Sequence, residues 1–167
     1  MEKTPLLVEM FGYQHLFLKT VRFTTRIITL SILDDIISQK KDEVEALRTH
    51  EWPERPPQAK RSLLNKLNKN NLQLIAEVKK ASPSKGVIYE SFNPERLAIN
   101  FEAHGASCIS VLTDEQFFKG HKDFLMAVKR SVKLPVLRKD FIIDPIQVKE
   151  TADMGADVML LILDILS

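Results

Sequence analysis

Gly105-Ala-Ser-Cys-Ile-Ser-Val-Leu112 returns 50 residues later as Gly155-Ala-Asp-Val-Met-Leu-Leu-Ile162. Each copy follows a segment opened by an acidic or amide residue and a proline, Asn93-Pro94 for the first and Asp144-Pro145 for the second. A side-chain oxygen at a helix start accepts from the free amides of the first turn, proline fits the first helical position, and glycine ends helices in the left-handed conformation. Each unit therefore reads as a helix, a glycine stop, and an apolar strand of the kind buried on both faces. A third strand, Val136 to Lys139, starts at Pro135, and a helix of about Lys122 to Arg130 precedes it. Upstream, Leu72-Gln-Leu-Ile-Ala-Glu-Val-Lys79 is a strand candidate followed by the turn-rich Ser82-Pro-Ser-Lys-Gly86. Strands alternating with short helices imply a parallel sheet with right-handed crossovers. The glycine spacing suits two units of a β/α barrel, but a flavodoxin-like open sheet has the same rhythm, and periodicity leaves both open.

The amino-terminal part has a different period. Ile32, Leu33, Ile36, Ile37, Val44 and Leu47 recur at helical spacing, with Asp34, Lys40, Lys41 and Glu45 assigned to the opposite, solvated face. This helix is expected from Ser31 to near Thr49, before Trp52-Pro53 and Pro56-Pro57, and Ser62 to Lys69 is expected to form a second short one. The division is then 1–30, an extension of undecided character; 31–70, a helical extension; and 71–167, the β/α region. In Met1 to Leu30 no apolar run approaches the ~18 residues of a membrane span. Glu9, His15, Lys19 and Arg22 also interrupt any signal-peptide pattern, so a weak transit peptide and an over-extended start both stay open.

Composition narrows the class further. The 167 residues are 44% hydrophobic and 28% charged, as in a soluble globular domain. The net charge of +2 comes from interspersed residues and not from a basic tract, which weighs against a nucleic-acid protein. The single cysteine, Cys108, lies in an apolar strand and reads as core, and with no disulfide framework a reducing cytoplasm is the expected setting. His15, His50, His104 and His121 never pair at metal-ligand spacing, so no metal is expected.

In a parallel barrel, chemistry sits at the carboxyl ends of the strands. Glu77 and Lys79 close the first strand at i, i+2 spacing and share one face; Arg138, Lys139 and Asp140 close the third. Any one of these charges is an ordinary solvated strand end. Several at the same end of buried strands must neutralise one another or a charged ligand.

Four stretches resemble, in order, the strand segments of indole-3-glycerol phosphate synthases. They are Ile75-Ala-Glu-Val-Lys-Lys-Ala-Ser-Pro-Ser-Lys-Gly86, Ser110-Val-Leu-Thr-Asp-Glu-Gln-Phe-Phe-Lys-Gly120, Leu134-Pro-Val-Leu-Arg-Lys-Asp-Phe-Ile-Ile-Asp144 and Gly155 to Ile162. The helix Ile32 to Arg48 is similar to the family's extra amino-terminal helix. The resemblance implies a (β/α)8 TIM barrel of which the first four β/α units are present. It implies ring closure of 1-(2-carboxyphenylamino)-1-deoxyribulose 5-phosphate with loss of carbon dioxide and water, in tryptophan biosynthesis, with no cofactor or metal. By it, Lys139 is the general acid, Lys79 engages the anionic substrate and Glu77 is the carboxylate paired with it. Ser82 falls in the first loop near the phosphate, and Phe118 and Phe141 flank the anthranilate ring. The two phenylalanines, taken alone, suit core packing equally well, and the Ser82 loop suits a plain turn.

The family's general-base glutamate and main phosphate-binding groups are implied on strands five to eight, past Ser167. The expectation is a piece of a longer polypeptide, inactive and poorly soluble by itself, with room for fusion to or association with other tryptophan-pathway enzymes. Two alternatives stay open: another phosphate-binding barrel isomerase or epimerase, and a non-catalytic half-barrel.

Overall fold

The computed structural model describes residues 24–53, 59–67 and 72–166. They open with the helix α1 (Thr24–Arg48) and the strand β1 (Ile75–Val78), followed by a small antiparallel hairpin, β2 (Ala81–Ser82) and β3 (Gly86–Val87). Then α2 (Pro94–Ala103), β4 (Cys108–Leu112), α3 (Lys122–Ser131), β5 (Val136–Lys139), α4 (Ile146–Asp153) and β6 (Val158–Met159) alternate, and a 3₁₀ turn at Leu163–Ile165 closes the described chain. The sequence predicts these elements for local reasons that the structure bears out. Asn93 Oδ1 accepts from Arg96 N at 2.8 Å and Asp144 Oδ1 from Ile146 N at 2.8 Å. Gly105 and Gly155, the two stops, take φ of 89° and 80°, which an L side chain enters only with strain.

Strands β1, β4, β5 and β6 form one parallel sheet whose spatial order is their chain order. Ala76, Val78, Ile109, Val111 and Val136 pack against Ala98 of α2, Leu125 and Val128 of α3, and Met154 beyond α4, in one continuous core. The helices therefore cover a single face. A doubly wound open sheet reverses its strand order at a switch point and carries helices on both faces. Neither occurs here, so the four strands are the wall of a partial barrel. Among the described residues, no helix is long and apolar enough to cross a membrane.

The described residues divide into two compact units between Ser38 and Gln39, and the sheet belongs wholly to the second. Three expectations need correction. The helix α1 begins at Thr24 and not near Ser31; the start of that segment is rich in threonine and isoleucine, weak helix formers, but adding a residue to an existing helix costs far less than nucleating one. The fourth strand is paired at Val158–Met159 only, flanked by backbone bonds from Asp157 N to Val136 O and from Leu160 N to Arg138 O, and does not extend as a strand to Ile162.

The third correction is the second helix expected at Ser62 to Lys69. Residues 62–67 form a single turn, closed by Leu67 N to Leu63 O at 3.1 Å, and residues 68 and 69 lie outside the described set. The segment serves instead as a strap under the amino ends of β5 and β6. Lys60 Nζ donates to Ala156 O at 2.7 Å, and the Arg61 guanidinium donates to Leu134 O at 2.9 Å and Lys129 O at 3.0 Å. Asp157, with its side chain fully buried, accepts from Arg61 N at 2.6 Å, from Val136 N at 2.8 Å and from Lys129 Nζ. The guanidinium fork thus ties the last turn of α3 to the segment leading into β5.

Candidate active site

Residues along a strand alternate faces, so the core partners of Ala76, Val78, Ile109, Val111 and Val136 settle the geometry of the rest. Glu77 and Lys79, Ser110 and Leu112, Leu137 and Lys139 point to the face away from the helices. Glu77 pairs with Ser110 and Ser110 with Leu137; Leu112 pairs with Lys139. Carrying the β1 register one residue past Val78 sets Lys79 level with Leu112, and hence with Lys139 two strands over, roughly 10 Å away by strand spacing. The three residues singled out from the sequence thus occupy one face at one end of the sheet. Lys79 Nζ lies 2.7 Å from Glu77 Oε1, both side chains about one-third exposed.

Arg138, by contrast, turns to the helix side. Its guanidinium is buried and donates to Asp140 Oδ2 at 3.0 Å and Thr151 Oγ1 at 2.9 Å, with Glu150 Oε2 at 2.8 Å. It belongs to the framework, not to the face that carries Lys139.

The aromatic pair also comes together. Phe118, in the loop after β4, and Phe141, just after β5, have ring centroids 6.1 Å apart at 36°, and both are partly exposed. The loop that carries Phe118 is drawn tight by Gly120, whose N–H donates to Asp114 O at 2.7 Å. A Cβ there would meet Leu112 O at 2.5 Å, so only glycine fits without moving backbone. Ser82 stands half-buried opposite Gly86 in the β2–β3 hairpin, whose turn is closed by Lys85 N donating to Ser82 O at 3.3 Å.

Sequence reasoning missed one group, Lys40. Assigned to the solvated side of α1, it is in fact 1% exposed. Its ammonium sits 2.8 Å from Glu43 Oε2, 3.0 Å from Asp114 Oδ2 and 2.9 Å from Asp140 Oδ1. The available signal was spacing: Lys40 is four residues from both Ile36 and Val44, on the stripe they define. Burial alone would lower its pKa, but the carboxylates of Asp140 and Asp114 outweigh that and raise it. Burial likewise pushes Asp140 up, and the charges of Arg138 and Lys40 win, holding its carboxyl below the ordinary range. Cys108, fully buried, has its thiol pushed up to about 11 by desolvation, as befits a core residue and not a nucleophile. Among the described residues, no cluster of three His, Cys, Asp or Glu side chains could hold a metal ion.

A sheet wound in chain order with helices on one face defines one wall of a β/α barrel, and two lysines with a carboxylate stand at the carboxyl ends on the other face. The family model for indole-3-glycerol phosphate synthase matches residues 33–167, and the chain belongs to that family. It is 53% identical over 133 residues to the indole-3-glycerol phosphate synthase of Priestia megaterium, covering 78% of this chain and 51% of that protein. The synthase of Halalkalibacterium halodurans is 51% identical over 133 residues, with the same shares of 78% and 51%. That of Geobacillus thermodenitrificans is 48% identical over 139 residues, covering 81% and 53%. The chain spans about half the length of the curated relatives it matches.

Proposed function

We propose that this chain supplies the acid and anion-binding half of a site that makes indole-3-glycerol phosphate. The substrate is 1-(2-carboxyphenylamino)-1-deoxyribulose 5-phosphate; an aromatic ring carbon attacks the ketone, and carbon dioxide and water leave. Lys139 donates a proton to the carbonyl oxygen as the new carbon–carbon bond forms. Lys79 holds an anionic group of the substrate, and Glu77 keeps that side chain aimed when the site is empty. Phe118 and Phe141 flank the anthranilate ring, and Ser82 approaches the phosphate. The phosphorylated substrate and any association with other enzymes of tryptophan biosynthesis follow from the same reading.

The observation that carries it is the Lys79–Glu77 pair, 2.7 Å apart, on the same face as Lys139 and level with it. The carboxylate holds one lysine in place to bind an anion, and the other stands level with it on the same face, where a proton donor is needed. An isomerase or epimerase reading would rest on an acid/base carboxylate on a later strand instead of on Lys139 chemistry, and family membership counts against it.

Because the chain spans about half of its relatives, turnover is measured on this sequence joined to the carboxyl-terminal half of the Priestia megaterium protein. In that enzyme Lys79→Ala is expected to raise KM and lower kcat together, each by roughly tenfold or more, since an anion loses its partner in the ground state and in the transition state. Steady-state kinetics followed by indole fluorescence measures both. Unchanged KM and kcat would remove Lys79 from the site.

A further inference from the structure

The Lys40 ammonium has three protons and three carboxylate neighbours, on Glu43, Asp114 and Asp140. Two of those carboxylates hold the aromatic loops by their backbones. Asp114 Oδ1 accepts from Phe117 N at 2.8 Å and from Phe118 N at 3.1 Å. Asp140 Oδ1 accepts from Phe141 N at 2.8 Å, while its Oδ2 accepts from Thr113 Oγ1 and from Arg138. Asp140 also follows Lys139 directly in the chain.

Resting on the synthase reading above, we infer that Lys40 is a positioning residue: from α1, outside the strands, it ties Asp114 to Asp140 and so sets the spacing of Phe118, Phe141 and Lys139. The two carboxylates are not equally dependent on it. Asp140 keeps the Arg138 guanidinium whatever happens to Lys40. Asp114, 0% exposed, receives no well-directed hydrogen bond at Oδ2, and Lys40 Nζ at 3.0 Å is the cation that neutralises it. Without Lys40 a buried carboxylate stands uncompensated beside a second one. The cheapest escape is rotation of Asp114 toward water, which releases the amides of Phe117 and Phe118.

The test is Lys40→Met, which keeps the apolar stem and deletes the charge. Amide hydrogen exchange in the completed enzyme is expected to quicken at Phe117 and Phe118 by about tenfold or more, less at Phe141, and to stay within about twofold at Leu125 and Val128 in α3. In the completed enzyme, kcat/KM is expected to fall roughly tenfold to a hundredfold, the scale of a displacement of about 1 Å at a reacting group. Where Lys40→Met does not fold, Lys40→Gln, with a neutral donor of similar reach, carries the same comparison. Exchange that rises evenly across the fold, or not at all, overturns the clamp. So does loosening at Phe117 and Phe118 with kinetics unchanged, because the tie would then serve stability alone. A parent enzyme that forms no indole product overturns the synthase reading instead, and exchange distinguishes the two failures.

Discussion

Lys139→Met in the completed enzyme is expected to leave the fold intact and to lower kcat by roughly 10² or more. The structure explains why the fold should survive. What Lys139 gives the sheet is backbone: it pairs with Leu112, and its carbonyl accepts from Thr113 N at 3.2 Å. Its side chain lies on the face away from the helix core, and methionine preserves its length without the proton. The buried charges that follow it, Asp140 with Arg138 and Lys40, are untouched by the exchange. If the lysine protonates the ketone oxygen only as the ring closes, the loss falls on kcat and leaves KM nearly alone. Turnover near that of the parent would strike Lys139 from the mechanism.

The second large effect is at the other end of the sheet and concerns stability. Asp157→Ala is expected to destabilise the fold by ~3–5 kcal/mol, the range for removing one member of a buried ion pair. Asp157 accepts three bonds, from Arg61 N, Val136 N and Lys129 Nζ, and its side chain is fully buried. Losing it removes one of the strap's anchors, leaves the Val136 amide without its acceptor and strands Lys129, whose pKa burial already pulls below the ordinary lysine value. For a chain of this size the melting temperature should fall roughly 6–20 °C. The kinetic constants of molecules that remain folded should hold, because the amino ends of barrel strands serve stability and the carboxyl ends serve chemistry. A thermal melt unchanged by Asp157→Ala would show that the strap carries no weight.

Much of the wall was legible because its signals are local. The bounds of β4 coincide with its apolar run and β5 starts directly after Pro135, while Asn93 and Asp144 accept from backbone amides at the starts of α2 and α4. Glu77, Lys79 and Lys139 were readable by strand alternation alone once the helices were known to take one face. The barrel itself was not readable from rhythm, since strand order is a long-range property that two topologies share; the chain-order sheet decides it. Lys40 was misread for a related reason. Its charge argues for solvent, and only Asp114 and Asp140, 74 and 100 residues further on (114 − 40 and 140 − 40), make its burial favourable. The missing helix at Ser62 is the converse case, where the adjoining Arg61 bonds Leu134 O and Lys129 O, partners far along the chain that no local pattern shows.

In the proposed function, Lys139, Lys79 and Glu77 act on one aromatic, phosphorylated substrate from the carboxyl ends of β1 and β5. The most direct measurement is product stoichiometry in the completed enzyme given 1-(2-carboxyphenylamino)-1-deoxyribulose 5-phosphate. Indole formation is followed by fluorescence and carbon dioxide is trapped in parallel, with Lys139→Met as the paired control. The expected result is equal amounts of indole product and carbon dioxide, with both falling together in the control. A folded enzyme that leaves this substrate untouched, or that rearranges its sugar chain without releasing carbon dioxide, would contradict the proposed function.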